Sequence, residues 1–420
     1  MTFLKTERIL LILLLLAYLL VGALFAIRTP AWQAPDEPAH FNYVAQVAAN
    51  GCCPLLEAGD WDSAYLERLK SARFAPELLD RLPTIQFEDH QPPLYYLLAS
   101  LVFKLTNGSL IALRLLSVLI GAGVVTGAYA VGKALLPQQP QIALGTAALV
   151  AFLPQHVAML AAVNNDSLAE LSVAVTLWLT IRYVKTDRVR VWQLGVLVGV
   201  GLLTKVSTIF LVGLVLLAIV LKWWIERDSE GKRRALPLAS LAAFALPVLL
   251  LGGLWWARNL SIYGFPDVFG LGRHNLVVAD QTRTADRIAE VGAGSYLLDG
   301  IATTFRSFWG QFGWMAFPLQ GWMYTLILIF LGIAAAGWLV GWRRPLPPEP
   351  DRAAQKAAWL IVGLTALAAL AQYVYYNLEF LQLQGRYLYP GLIPVGIGVA
   401  LGFEGVWRVL FGDGREGKRP

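Results

Sequence analysis

Asp36 and Glu37 stand side by side in "TPAWQAPDEPAHFNYVAQ" (29–46), with His40 one helical turn beyond Asp36. At that spacing Asp36 and His40 can face one cavity, as a base with its orienting partner or as part of a metal site. An Asp ahead of Glu-Pro is also an ordinary helix start, and capping accounts for Asp36 as well as catalysis does. A cap uses one carboxylate, however, and Glu37 is surplus to it. A second acidic group, Glu88-Asp89-His90, precedes Pro92 and Pro93 in "FEDHQPPLYYLL" (87–98). Asp166 opens an apolar stretch in "AAVNNDSLAEL" (161–171), where capping is again the plain alternative. Three cations join these acids: Lys205 in "LLTKVS" (202–207), Arg258 in "WWARNLSIYG" (255–264) and Arg386 in "QGRYLYPGL" (384–392).

The elements that must hold these residues are membrane helices. Of the 420 residues 57% are hydrophobic and 15% charged, too apolar for a water-soluble domain. A span needs about 20 apolar residues to cross roughly 30 Å of hydrocarbon. Runs of that kind lie near 8–27, 110–135, 140–159, 165–184, 235–257, 321–341, 356–376 and 388–410, and 191–225 holds two shorter ones broken at "LLTKVS". The expectation is an all-α polytopic protein of about ten spans, treated as one domain over 1–420. The first run follows Lys5 and Arg8 but is longer than the core of an export signal, so it is expected to be a retained anchor.

Lys and Arg in short loops mark the cytoplasmic side. The clusters are Lys5/Arg8, "KTDRVR" (185–190), "KWWIERDSEGKRR" (222–234), "WRR" (342–344) and "GREGKRP" (414–420). With both termini inside, two long segments fall outside, 28–109 and 258–320. So do the short breaks that carry Asp166, Lys205 and Arg386. The stretch 92–105 would upset this parity if it crossed; at about 14 residues it reaches roughly 21 Å, so it is expected to be interfacial or re-entrant. The first outer loop also holds amphipathic pieces such as "SAYLERLKSARFAPELLDRL" (63–82), suited to lie along the membrane surface. Residues 28–91 hold ten acidic against five basic residues, the reverse of a cytoplasmic loop. The net charge of +6 is dispersed over short loops and does not point to nucleic acid. "RRPLPPEPDR" (343–352) reads as a cytoplasmic linker, and the adjacent Cys52 and Cys53 as two free thiols in preference to the alternative of a strained vicinal bridge.

Every candidate acid and cation thus shares one membrane face. Cations on the outer side run against the charge rule and need a reason. Snorkelling to head groups is one; a ring that holds a phosphate is another. Acids for base work beside cations for a phosphate fit a displacement in which an acceptor hydroxyl takes a sugar from a lipid phosphate. The leaving phosphate then needs charge stabilisation and no general acid.

The motifs in their order resemble the GT-C superfamily of integral-membrane glycosyltransferases, above all its protein O-mannosyltransferase and aminoarabinose transferase branch. The resemblance rests on Asp36-Glu37, "HQPPLYY" (90–96), "ALRLLSVLIG" (112–121), "NND" (164–166), "LLTK" (202–205), "WWARN" (255–259) and "QGRYLYP" (384–390). It implies that Asp36 is the base of an inverting transfer, assisted by Glu37. It further implies that Glu88 or His90, with Asp89 and His40 nearby, lines the pocket by the donor phosphate, that Asp166 shapes the acceptor side, and that Lys205, Arg258 and Arg386 contact the phosphate. Relatives often place His or Lys directly before Pro-Pro, where this chain has Gln91. The implied partners are a polyprenyl-phosphate sugar, a lipid, glycan or protein acceptor, and membrane lipids. The implied cofactor is none or a divalent cation, for which Asp36, His40 and Asp166 are the candidate ligands. A large soluble C-terminal domain of the kind some members append is not expected, leaving acceptor recognition to the outer loops. The competing classes are a lipid or sugar transporter, which would place polar residues at mid-membrane, and a structural membrane protein, which needs no such acids.

Overall fold

The computed structural model of the chain describes residues 2–230, 237–341 and 351–412; residues 231–236 of one basic loop, most of the 343–352 linker and the terminal "GREGKRP" lie outside the described residues. In chain order the helices are α1 (Thr2–Arg28), α2 (Glu37–Asn50), α3 (Ser63–Ser71), α4 (Leu94–Leu105), α5 (Leu110–Leu135), α6 (Pro140–Phe152), α7 (Pro154–Leu160), α8 (Asp166–Lys185), α9 (Val191–Leu202), α10 (Phe210–Glu230), α11 (Leu238–Tyr263), α12 (Leu271–Val277), α13 (Thr284–Val291), α14 (Ala293–Trp309), α15 (Gly321–Gly341), α16 (Arg352–Glu379) and α17 (Leu392–Phe411). Three 3-10 turns, Pro76–Thr84, Val206–Ile209 and Gly385–Gly391, and a two-residue ladder pairing Gln311–Phe312 with Phe317–Pro318 complete it.

Among the described residues eight helices are long and apolar enough to cross a membrane, and the chain is an integral membrane protein of all-α architecture. Ten spans were expected from composition. The other two are α6 with α7, bent by 67° at the break, and α9, whose 12 residues are too few to cross alone. The bend follows from Pro154, which cannot continue the hydrogen-bond ladder of α6. Leucines of α1, α11 and α15 face outward, because lipid and not water surrounds them. Inside, Val124, Val125 and Ala128 of α5 pack with Ala174 and Leu177 of α8 in the main core. Small residues let backbones approach: a Cβ on Gly337 would lie 1.8 Å from the Gly402 carbonyl oxygen, so α15 and α17 touch main chain to main chain.

The bundle has two chemically distinct ends. At one, Lys185 donates to the carbonyls of Ala134 and Leu135 at 3.1 Å each, and Lys222 to those of Tyr183 (2.9 Å) and Thr186 (3.1 Å). These lysines satisfy carbonyls that helices α5 and α8 leave open at their C-termini. At the other end the segments 28–109 and 258–320 meet. Arg273 Nε donates to Leu56 O at 2.9 Å, Trp314 Nε1 to Trp32 O at 2.9 Å, and Leu56 N to the Tyr263 hydroxyl at 3.2 Å. Helix α4 packs on α2 there, and its first N–H donates to Leu203 O at 2.9 Å, in the break before Lys205. Cys52 and Cys53, expected to be free thiols, are joined to each other by a disulfide in the first of these segments.

Candidate active site at one end of the bundle

Asp36 precedes α2 with φ +64° and ψ −2°, a left-handed conformation uncommon for a residue with a side chain. The carboxylate is thereby turned off the helix axis and makes no capping hydrogen bond. It accepts instead from Arg386 Nη2 at 2.5 Å, across 350 residues. Arg386 is almost buried while Asp36 keeps 23% of its side-chain surface open. Among the described residues the buried Nε–H of Arg386 has no acceptor. Its other neighbour is the Tyr387 hydroxyl, 3.4 Å from Nη2.

Glu37 goes elsewhere. It is fully buried and takes a fork from Arg114, Nε to Oε1 at 2.8 Å and Nη2 to Oε2 at 2.6 Å. The main-chain N–H groups of Trp32 and Val163 add a donor each at 3.2 Å. Arg114 spends its remaining donors on the carbonyls of Ala26 (3.1 Å), Thr29 (2.6 Å) and Pro30 (3.0 Å). Four donors saturate the carboxylate, so the expectation that Glu37 assists the base gives way to a framework role: the pair pins the exit of α1 to α5 and α2.

Asp166 begins α8, but it is not the cap; Asn164 Oδ1 accepts from the Asp166 N–H at 3.1 Å. Its carboxylate is engaged by Lys205 Nζ. Asn165 Nδ2 ties the two chain breaks together, donating to Thr204 O at 3.1 Å and to Gln91 Oε1 at 3.3 Å. His40 joins the group through α2: its Nδ1 lies 2.8 Å from the Tyr96 hydroxyl, and the charges of Glu88, Asp36, Lys205 and Asp166 all bear on it. Burial holds its pKa below the ordinary imidazole value, against the upward pull of Glu88 and Asp36. Glu88 completes the cluster, with Oε2 buried and without a donor among the described residues. The structure therefore brings together Asp36, His40, Glu88, Asp166, Lys205 and Arg386.

Three expected members stand apart. Arg258 donates to the carbonyls of Pro54 (2.5 Å) and Cys53 (3.3 Å) and lies 4.3 Å over the Trp255 ring, clamping the segment 28–109 instead of joining Lys205 and Arg386. His90 turns its Nδ1 to Phe87 O at 3.1 Å and its ring to His274, 4.6 Å away; burial and His274 keep its pKa well below the usual value. Asp89 is sealed under α2, where Gln46 Nε2 donates to Oδ2 at 2.7 Å and Oδ1 has no partner. Burial, opposed by that hydrogen bond and aided by Asp60 and Glu88, pushes the Asp89 carboxyl up to about 8. The sign follows from linkage: a carboxyl whose folded pKa is raised binds its proton more tightly folded than unfolded, so stability falls as pH rises from about 4 to about 8. Asp89→Asn removes that proton, and the melting temperature of the variant in detergent is expected to vary less between pH 5 and 8 than that of the unaltered protein.

Among the described residues no three His, Cys, Asp or Glu side chains converge closely enough to hold an ion. The proposed ligands Asp36 and Asp166 each face a cation, and His40 faces a phenol. Sequence reasoning also passed over Arg114 as a partner of Glu37, and over Tyr96 and Tyr387. Arg114 had a signal, since a guanidinium inside an apolar helix always requires an acceptor.

The sequence profile of the dolichyl-phosphate-mannose-protein mannosyltransferases matches residues 90–255, which include Asp166 and Lys205 but neither Asp36 nor Arg386. No curated protein matches the chain. Among solved structures, that of ArnT from Cupriavidus metallidurans bound to undecaprenyl phosphate matches 94% of this chain with a TM-score of 0.55 at 15% identity. This chain spans 60% of the length of that one. The chain therefore shares its all-α polytopic fold with that structure over nearly its whole length, and within that fold residues 90–255 match the mannosyltransferase profile.

Proposed function

We propose that this protein is an inverting glycosyltransferase that moves a sugar from polyprenyl phosphate to an acceptor hydroxyl at the extracytoplasmic membrane face. The observation that carries the reading is the contact of Asp36 with Arg386 beside the Asp166–Lys205 pair: a half-open carboxylate and two cations at one end of a membrane bundle. Arg386 keeps a buried donor for an incoming anion. A phosphate offers it more charge and more oxygens than Asp36 does. When the guanidinium turns to the phosphate, Asp36 is left facing the acceptor. Asp36 takes the acceptor's proton, the freed oxygen attacks the anomeric carbon, and the bond to the phosphate oxygen breaks with its electron pair. Arg386 and Lys205 balance the charge that arrives on the phosphate. His40, held neutral, and Glu88 line the pocket, with Asp166 orienting Lys205. The lysine-capped end of the bundle supports the orientation, since basic loops stay in the cytoplasm.

The test is a reconstitution in nanodiscs with polyprenyl-phosphate sugars, following release of the free polyprenyl phosphate, together with binding of undecaprenyl phosphate as the product-like probe. Turnover and saturable binding support the reading. Absence of both rejects it, and lipid movement between leaflets without sugar loss would make the protein a transporter.

A further inference from the structure

A buried contact between an imidazole and a carboxyl group also lies within the bundle, and it begins with a proline. Pro154 has no N–H, so the carbonyl of Val150 four residues earlier lacks the donor that a continuous helix provides. His156 supplies one, its Nδ1 2.7 Å from that oxygen. A carbonyl only accepts, so Nδ1 carries a proton. The opposite nitrogen, Nε2, is 2.6 Å from Glu170 Oε2. The imidazole is fully buried and Glu170 nearly so. Ionisable groups inside a membrane bundle are costly and are kept where they have work to do.

The placement of the pair indicates that work. Glu170 follows Asp166 by four residues on α8, one turn along the same face. On the other side the Tyr389 ring meets His156 edge-on, with centroids 5.0 Å apart. Tyr389 is three residues from Arg386 in the same 3-10 turn. Helix α14 holds that turn from its far side: Tyr389 donates to Phe308 O at 2.8 Å, and Gly385 N to Ser307 Oγ at 2.8 Å. A Cβ on Gly385 would lie 2.4 Å from Phe308 N, so only glycine lets the turn sit so close. The contact therefore joins the helix that presents Asp166, the ion-pair partner of Lys205, to the turn presenting Arg386.

Resting on the reading of this end as a phosphate site, we infer that His156 and Glu170 are a positioning pair that sets the spacing of Lys205 and Arg386 so that both reach one phosphate. Neither residue touches substrate. The measurement is the affinity of the full-length protein in nanodiscs for undecaprenyl phosphate, with a melting curve for each variant. Glu170→Leu is expected to bind at least about fivefold more weakly when folded. Glu170→Gln, whose amide can donate to Nε2 while Nδ1 still serves Val150, is expected to stay within about twofold of the unaltered protein. A purely stabilising pair would lower the melting temperature of Glu170→Leu without moving the affinity, and that result overturns the inference. Should Glu170→Leu not be recovered folded, Tyr389→Leu leaves the pair intact and removes the ring that couples it to Arg386; unchanged affinity there overturns it equally. If the unaltered protein itself binds no undecaprenyl phosphate, the phosphate reading fails and this role falls with it, a result distinct from the other two.

Discussion

Asp36→Asn is expected to lower turnover of a polyprenyl-phosphate sugar by about 10²–10⁴-fold, the usual yield of a positioned base, while the melting temperature stays close to that of the unaltered protein. Both halves follow from the geometry. Asn tolerates the left-handed backbone that Asp36 adopts, and its amide oxygen can still accept from Arg386. What it loses is the ability to take a proton. Single-turnover release of polyprenyl phosphate, with a melting curve on the same preparation, checks the prediction. Turnover at the unaltered rate would remove Asp36 from the base role and leave it as the counter-charge of Arg386.

The neighbouring carboxylate is expected to behave in the opposite way. Arg114→Met leaves Glu37 charged, buried and without its fork, a change that typically costs about 3–5 kcal/mol. The protein should reach the membrane in much lower yield and melt well below the unaltered chain. Glu37→Gln keeps the shape and part of the hydrogen bonding, so it is expected to destabilise less and to retain most of its turnover per folded molecule. Changing both residues together to Gln and Met should recover part of the loss of Arg114→Met, because no buried charge is then left alone. Comparing yield, melting and activity per folded molecule separates a framework carboxylate from a chemical one. If Glu37→Gln lost activity as completely as Asp36→Asn while melting normally, the assignment of Glu37 to the framework would be wrong.

This contrast shows how far the residues spoke for themselves. The carboxylates were visible by type, and the distribution of Lys and Arg led to the expectation of one shared face, in keeping with their gathering at one end of the bundle. Adjacency misled for Glu37, since one left-handed residue is enough to send two neighbouring side chains in different directions. Arg258 was read as a third phosphate cation because it was expected on the same side as Lys205 and Arg386, against the charge rule; its donors answer to the carbonyls of Cys53 and Pro54, and no local pattern announces such a long-range acceptor. The spans were legible because hydrocarbon admits only apolar helices. The break after α6 had its signal in Pro154, but a hydropathy run counts residues and does not see direction. The pairing of Glu170 with His156 was not read at all, because a single acid and a single imidazole in separate apolar helices leave no periodic trace.

The contact between Asp36 and Arg386 also bears on how the protein is made. The chain is synthesised from its N-terminus, and early segments settle before later ones exist. Asp36 follows α1, whereas its cation arrives 350 residues later, just before α17. While those 350 residues are made, the molecule therefore holds the carboxylate without the guanidinium. A product cut short before Arg386 would insert most of its helices and still lack half of the proposed phosphate grip. Synthesis past Arg386, and not insertion of the earlier spans, is the event that would switch the chemistry on.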